Sequence, residues 1–336
     1  MFYRTLISLS LLLPLSAQAA DSSKTAGKVM KESRPLPPVP AARDVPLDQK
    51  LQTEASEQIK SALVSNDRII RAHAIEASRQ AFREKAKDDI LAGLRDSESV
   101  VRFTAAMAIG DIQIASARDD VLKLVSDDDP NVRIAVRYAL HRLGDTRFSH
   151  DLERYSIDPD PGVRANTAMV LGRLEVPSAA KVLAPMQHDL EPLVRIQAAE
   201  ALFRLGDDRG FQTLVAMTIS AYPDDNIIGF QAIASTKNQK LLGHVQAGLS
   251  SEYVEVALVA ARAMGELGSD LGYGIALQGA KSKDPRHRYL AAVAFGAIGR
   301  TDAQDVLTGL LHDKESADTR LAAAFAILQL GQVPGK

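Results

Sequence analysis

The feature that most constrains what this chain can fold into is a period. Arg71, Arg102, Arg133, Arg164 and Arg195 stand 31 residues apart, and the same register passes through Gly229 and Ala257 before resuming at Arg288 and Arg320. The irregular spacings of 34 and 28 residues around Gly229 sum to two periods, so nine units follow one another between Leu47 and Val333. Within a unit, the third, seventh and tenth residues after this slot are small or apolar: Ala105, Ile109, Ile112; Val136, Leu140, Leu143; Thr167, Leu171, Leu174; Ala198, Leu202, Leu205. At 100° per residue those positions share one helical face. Glycine often follows at position eleven, as at Gly144, Gly206, Gly268, Gly299 and Gly331, where a helix can end in a left-handed cap. A second amphipathic segment precedes the next unit, for example Val121, Leu122, Val125 or Val306, Leu307, Leu310, Leu311. Each unit is a pair of antiparallel helices. One pair cannot bury its own apolar face, so stacking must do it. The expected fold is all-α: an α-α superhelix of about nine helix pairs, one elongated domain with right-handed curvature.

Composition agrees with thin layers of closely packed helices. Hydrophobic residues make up 46% of the 336 residues, yet aromatics are only 5% and Trp is absent. There is no cysteine, which removes disulfides, thiolate metal sites and cysteine nucleophiles. The start, MFYRTLISLSLLLPLSAQAA, has a basic Arg4, an apolar run from Leu6 to Leu15 and a small-residue site at Ala17-Gln18-Ala19. Residues 1–20 therefore read as a secretory signal peptide, with the periplasm of a Gram-negative bacterium as the expected destination. No later stretch has the roughly 20 apolar residues a membrane span needs. Residues 21–46 carry Pro35, Pro37, Pro38, Pro40 and Pro46 and read as a disordered Pro-rich tether, with a PxxP-type ligand role as its alternative. The formal charge is -2, and removing residues 1–20 takes away one Arg and no acid, leaving -3. Such balance gives no global pull toward nucleic acid or anionic lipid.

The recurrent D-x5-[VIL]R phrase followed by AA-x-AL-G-x-LG resembles HEAT repeats, specifically the short HEAT-like repeats of the phycobilisome lyase type, over nearly everything from Leu47 to Val333. The resemblance implies a structural ladder. Asp96, Asp127, Asp158 and Asp189 each lie six residues before Arg102, Arg133, Arg164 and Arg195, and in such repeats these residues hydrogen-bond neighbouring turns. It also raises two enzymatic branches. Deoxyhypusine hydroxylases hold iron with His-Glu dyads, and none of the seven histidines here is followed by Glu. Bilin lyases hand a tetrapyrrole to a partner's cysteine, a task that export argues against.

The residues themselves offer little for catalysis. His73, His141, His150, His188, His244, His287 and His312 are scattered over the units at no metal-ligand spacing. There is no GxSxG elbow, and Gly265, Gly268, Gly272 and Gly274 do not make a GxGxxG loop. No catalytic residue, metal or cofactor is expected.

A binding face is expected where the second helix of each pair lines the concave side. Position five holds Met107, Tyr138 and Met169, then Glu200; position nine holds Asp111, Arg142, Arg173 and Arg204. A soft apolar row beside a basic row suits protein recognition. Arg137 stands where the other units carry Ala or Ile, and His141 where four carry Gly. The candidate partner-binding residues are therefore Met107, Arg137, Tyr138, His141, Arg142, Met169, Arg173 and Arg204. The expected function is an exported, monomeric, non-enzymatic scaffold that binds a protein with acidic segments, without nucleic acid. The alternative is a small-molecule or cofactor-handling protein taking a flat anionic ligand such as a tetrapyrrole in the same groove. Residues 220–251, which lose the ladder Arg and the terminal LG, are expected to be sequence drift without function, or else a hinge, a change in curvature or a partner-specific site.

Overall fold

A computed structural model describes residues 35–330. The signal-like residues 1–20, the first part of the tether and Gly331 lie outside them. Nine helices begin at the turn that precedes each arginine slot: α2 (Arg68–Phe82), α4 (Ser99–Ile112), α6 (Pro130–Arg142), α7 (Pro161–Leu174), α9 (Pro192–Arg204), α11 (Pro223–Ser235), α13 (Val254–Glu266), α15 (Pro285–Ile298) and α17 (Ala317–Gln329). Their starts are written locally. Pro130, Pro161, Pro192, Pro223 and Pro285 sit in the first turn, where a missing N–H costs nothing, and Asp67, Asp129, Asp160 and Asp284 accept hydrogen bonds from the exposed amides. Gly144, Gly206, Gly268 and Gly299 take positive φ where the chain turns out of the inner helix. The partner layer is α1 (Gln49–Ala62), α3 (Lys87–Gly93), α5 (Arg118–Leu122), α8 (Ala180–Met186), α10 (Asp208–Thr218), α12 (Leu242–Gln246), α14 (Tyr273–Ala280) and α16 (Gln304–Leu311). In the fourth unit this layer is wound as a 3-10 segment, Thr146–Ile157.

The arginine ladder reaches one unit further than the phrase suggests. Arg102 uses Nη1 on the carbonyls of Asp96 and Ser97 in its own turn, while Nε and Nη2 hold both oxygens of Asp127 in the next. Arg71 grips Asp96, Arg164 grips Asp189 and Arg288 grips Asp313 in the same way. Two rungs differ. The Arg133 Nε donates to the Tyr155 hydroxyl at 3.2 Å instead of reaching Asp158. Arg195 keeps the carbonyls of Asp189 and Leu190, but Ser220 stands where the next aspartate would be.

Position eight decides how closely successive inner helices approach. A Cβ on Gly172 would lie 2.6 Å from Ala201 Cα, and one on Gly265 would lie 2.6 Å from the Ile298 amide nitrogen; Gly110 and Gly296 are similarly tight against Ala139 and Ala326. These four joints are the closest packed, α4 on α6, α7 on α9, α13 on α15 and α15 on α17. In α9 the same position is Phe203, which stacks on Phe211 at 5.5 Å. There α10 lies between α9 and α11, packed on both, and Ile196, Ala199, Leu214, Met217 and Ala232 form a small core of their own. The irregular segment is thus a change in packing between repeats.

The expectation of an elongated array is corrected at its ends. α1 packs on α17, and α17 on α2, so the first unit stacks on the ninth as a tenth would. Leu51, Ala55, Ile59, Ile70 and Ala74 belong to one core with Leu321, Ala324 and Ile327. His73 Nδ1 meets Asp318 Oδ1 at 3.0 Å, and His312 Nε2 meets Glu54 Oε1 at 2.7 Å. The superhelix closes because each terminal pair has an apolar face that only another repeat can cover.

The second half of the tether is ordered, against the expectation of a free spacer. Arg300 donates to the carbonyls of Pro40 and Ala41, lies 3.8 Å from the centre of the Tyr273 ring, and pairs with Asp302. The Arg43, Val45 and Asp48 amides donate to Asp302, Thr301 and Gln304. Gly274 leaves room for the carbonyl of Pro38, which a Cβ would meet at 2.8 Å. Proline favours this extended course and leaves its carbonyls free to accept.

Candidate interaction surfaces

The inner helices bring the expected site residues together, but in a different state. Met107, Tyr138 and Met169 are 5%, 3% and 8% exposed, so the apolar row is packing and not a reading surface. The Tyr138 hydroxyl donates to Asp111 Oδ1 at 2.6 Å, and its ring covers Gly110. Asp111 also takes Arg79 of α2 at 3.5 Å and Arg173 of α7 at 3.6 Å, so side chains from inner helices two units apart meet across the concave face. Glu76 is buried beside them and accepts from Arg79 and Gln80. Burial pushes its carboxyl up, but Arg79 and Arg173 outweigh this and hold it below the ordinary range. Burial and the neighbouring Asp111 push the Tyr138 phenol well above its usual value. These are the marks of a satisfied internal network.

The remaining candidates divide. Arg137 is buried, donates to the carbonyls of Val125 and Arg133, and faces Asp151 at 3.5 Å. With Arg133 and Arg154 it surrounds the Tyr155 ring, at 5.7, 5.9 and 4.8 Å from its centre. His141 bonds Ser149, and burial and the neighbouring Arg142 lower its pKa. Arg142 is half-buried and reaches the Gly110 carbonyl at 3.4 Å. Only Arg204 among the basic row is exposed, and it pairs with Glu200 at 2.9 Å. The arginines expected to select an acidic partner are thus engaged by the chain's own carboxylates where Asp111 and Glu200 stand. Further round the concave face, the cavity lined by Gln231, Arg262, Tyr289 and Val293 has room of about 10 Å³, no more than a water molecule.

A different surface was missed. On the edge where outer helices turn into inner ones, Ile157 is 83% exposed, Leu190 92%, Ile219 80%, Tyr222 70% and Tyr253 49%. They occupy the consecutive turns before α7, α9, α11 and α13. Each turn also carries acids: Asp158 and Asp160, Asp189 and Glu191, Asp224 and Asp225, Glu252 and Glu255. The stretches 157–160, 187–191, 219–225 and 250–255 contain no Lys or Arg, whereas the next turn after this row carries Lys281 and Lys283. The signal was available: a large aliphatic at Leu190, between Asp189 and Glu191, has no place in a helical stripe and no turn role.

With this geometry in hand, the chain matches the family model of HEAT repeats over residues 87–156, 149–234 and 243–327, and it belongs to that family. Solved structures similar to it include the complex of CpcE and CpcF of phycocyanin lyase from Nostoc sp. PCC7120, at 17% identity over 70% of this chain and 95% of that one, with a TM-score of 0.44. Human deoxyhypusine hydroxylase in complex with glycerol is similar at 18% identity, 74% and 97% coverage and a TM-score of 0.39. An engineered protein is similar at 18% identity, 82% and 88% coverage and a TM-score of 0.30. No curated protein matches the chain in sequence. Among the described residues, no helix is long and apolar enough to cross a membrane, and no three or more His, Asp or Glu cluster as a metal site.

Proposed function

We propose that the protein is an exported, non-enzymatic HEAT-repeat scaffold that holds another protein on the turn edge before α7, α9, α11 and α13. The observation that carries this reading is the row of five large apolar side chains exposed on four consecutive turns. Isolated exposed apolar residues are ordinary, but a contiguous row on a folded monomer marks an interaction surface. Export is supported by the composition of residues 1–20. The concave face contributes less than its sequence suggested, because Met107, Tyr138, Met169 and Arg137 are already covered. Arg204, with the half-buried Arg142 and His141, is what it keeps at its margin.

The test is site-specific photocrosslinking in intact cells. A photoreactive residue at Leu190 or Ile219 should give a discrete protein adduct, and one at Lys283 on the same edge outside the row should not. Equal, diffuse labelling at all three positions would remove the assignment. Fractionation of the same cells checks export, with recovery in the cytoplasm as the contrary result.

A further inference from the structure

The chemistry of the turn edge specifies its occupant. We infer that it docks a cationic amphipathic helical segment of a partner protein, an inference that rests on the scaffold reading above. The apolar half of the argument is Ile157, Leu190, Ile219, Tyr222 and Tyr253, all exposed. The charged half is their setting. Asp160, Glu191, Asp224 and Glu252 are exposed beside them, one on each turn, and these turns carry no Lys or Arg. Several basic groups approach the edge already engaged: Arg164 on Asp189, Arg195 on the carbonyls of Asp189 and Leu190, and Arg154 on the Tyr155 hydroxyl and Asp151, while His188 is exposed in the turn of Leu190. His287 faces Glu255 from α15 at 3.5 Å. Neither Glu191 nor Tyr222 nor Tyr253 caps its helix with a side-chain hydrogen bond.

Length fits as well. Directly packed inner helices stand about 10 Å apart, and α10 lies between α9 and α11, so the four turns span at least about 30 Å. A helix of about 20 residues has that length. Its apolar stripe would cover the row while Lys or Arg on the flanks met the acids, which favours encounter and excludes anionic partners and anionic lipid surfaces.

The experiment measures binding of synthetic helical peptides of about 20 residues to the full chain purified without its first 20 residues. A Lys/Leu amphipathic peptide should bind, and its affinity should fall with salt. A Glu/Leu peptide of the same pattern, and a Lys/Ser peptide of the same charge, should bind at least about tenfold more weakly. In the protein, Leu190→Ser with Ile219→Ser should weaken the Lys/Leu peptide about tenfold or more, as should Glu191→Gln with Asp224→Asn, while Val64→Ser, an exposed apolar residue outside the row, should leave it unchanged. Circular dichroism confirms that each variant is folded. Equal binding of the Glu/Leu peptide, or wild-type affinity in both double variants, overturns the inference. So does a concentration-dependent dimer abolished by Leu190→Ser, which would assign the row to a second copy. Adducts at Leu190 and Ile219 with a partner segment rich in acids would overturn the cationic occupant and leave the scaffold intact.

Discussion

Two seams in this superhelix are built alike and held differently. At the joint between the fifth and sixth units Phe203 stands in the slot where four other helices carry glycine, and α9 leans on the next outer helix, α10. At the joint between the ninth unit and the first, Leu328 stands in that slot, and α17 leans on the outer helix α1. The internal seam has covalent continuity, the Phe203–Phe211 stack and an Arg204–Ser235 contact at 3.4 Å. The closing seam adds His73–Asp318, His312–Glu54 and the strap held by Arg300. The difference follows from connectivity. Neighbouring repeats meet at high effective concentration, whereas the chain ends must be brought together across the whole array, and that loop-closure entropy has to be offset by more contacts.

The largest expected effect comes from turning a tight joint into a splayed one. Gly265→Phe places a ring against the Ile298 backbone and should destabilise by about 3 kcal/mol or more, read from urea unfolding. A loss under about 1 kcal/mol would show that position eight does not set the spacing. Arg300→Ala releases the strap and leaves Asp302, which is nearly buried, without its guanidinium; the expected cost is about 2 kcal/mol, with new protease cleavage within residues 37–46. Unchanged protection of those residues would mean the strap is held by the Arg43, Val45 and Asp48 amides without Arg300. Smaller again is the contrast between rungs: Arg164→Gln should cost about 1 to 2 kcal/mol, because it strands Asp189, and Arg195→Gln less than about 1. Equal losses would make the cross-turn rung worthless. The smallest effect is a pH dependence confined to the closing seam. His312 donates from Nδ1 to the Thr308 carbonyl and from Nε2 to Glu54, which raises its pKa above 6.5. A raised folded value means that its stabilisation is complete below 6.5 and is lost as pH rises through the folded pKa. The pair is exposed, so solvent screens it, and His312→Gln should flatten only the slope of stability above pH 6.5. An unchanged slope would show that the pair adds nothing.

Much of the fold was legible because it is periodic. The Pro130 and Pro161 starts and the Gly206 and Gly268 ends are local and repeated, and each could be read from one unit and checked on the next. The site was less so. Met107, Tyr138 and Met169 occupy positions that point off the core stripe, yet whether they are open depends on the curvature of the array and on what Asp111, Arg79 and Arg173 do across it. Arg137 looked like an exception available to a partner, and its actual neighbours are Val125 on one side and Asp151 and Tyr155 of the 3-10 segment on the other. Leu190 and Ile219 went unnoticed because attention to helical faces skips the turns.

Sequence alone determined the repeat, its helix pairs, their starts and stops and most of the ladder, since these rest on backbone preferences and contacts within or between adjacent units. Only the tertiary structure decided that α1 would stack on α17, that Pro40 and Ala41 would lie under Arg300, and that the turn edge would be exposed where the concave row is covered. Those outcomes depend on the small rotation between units summed over nine of them, a quantity that no single repeat encodes.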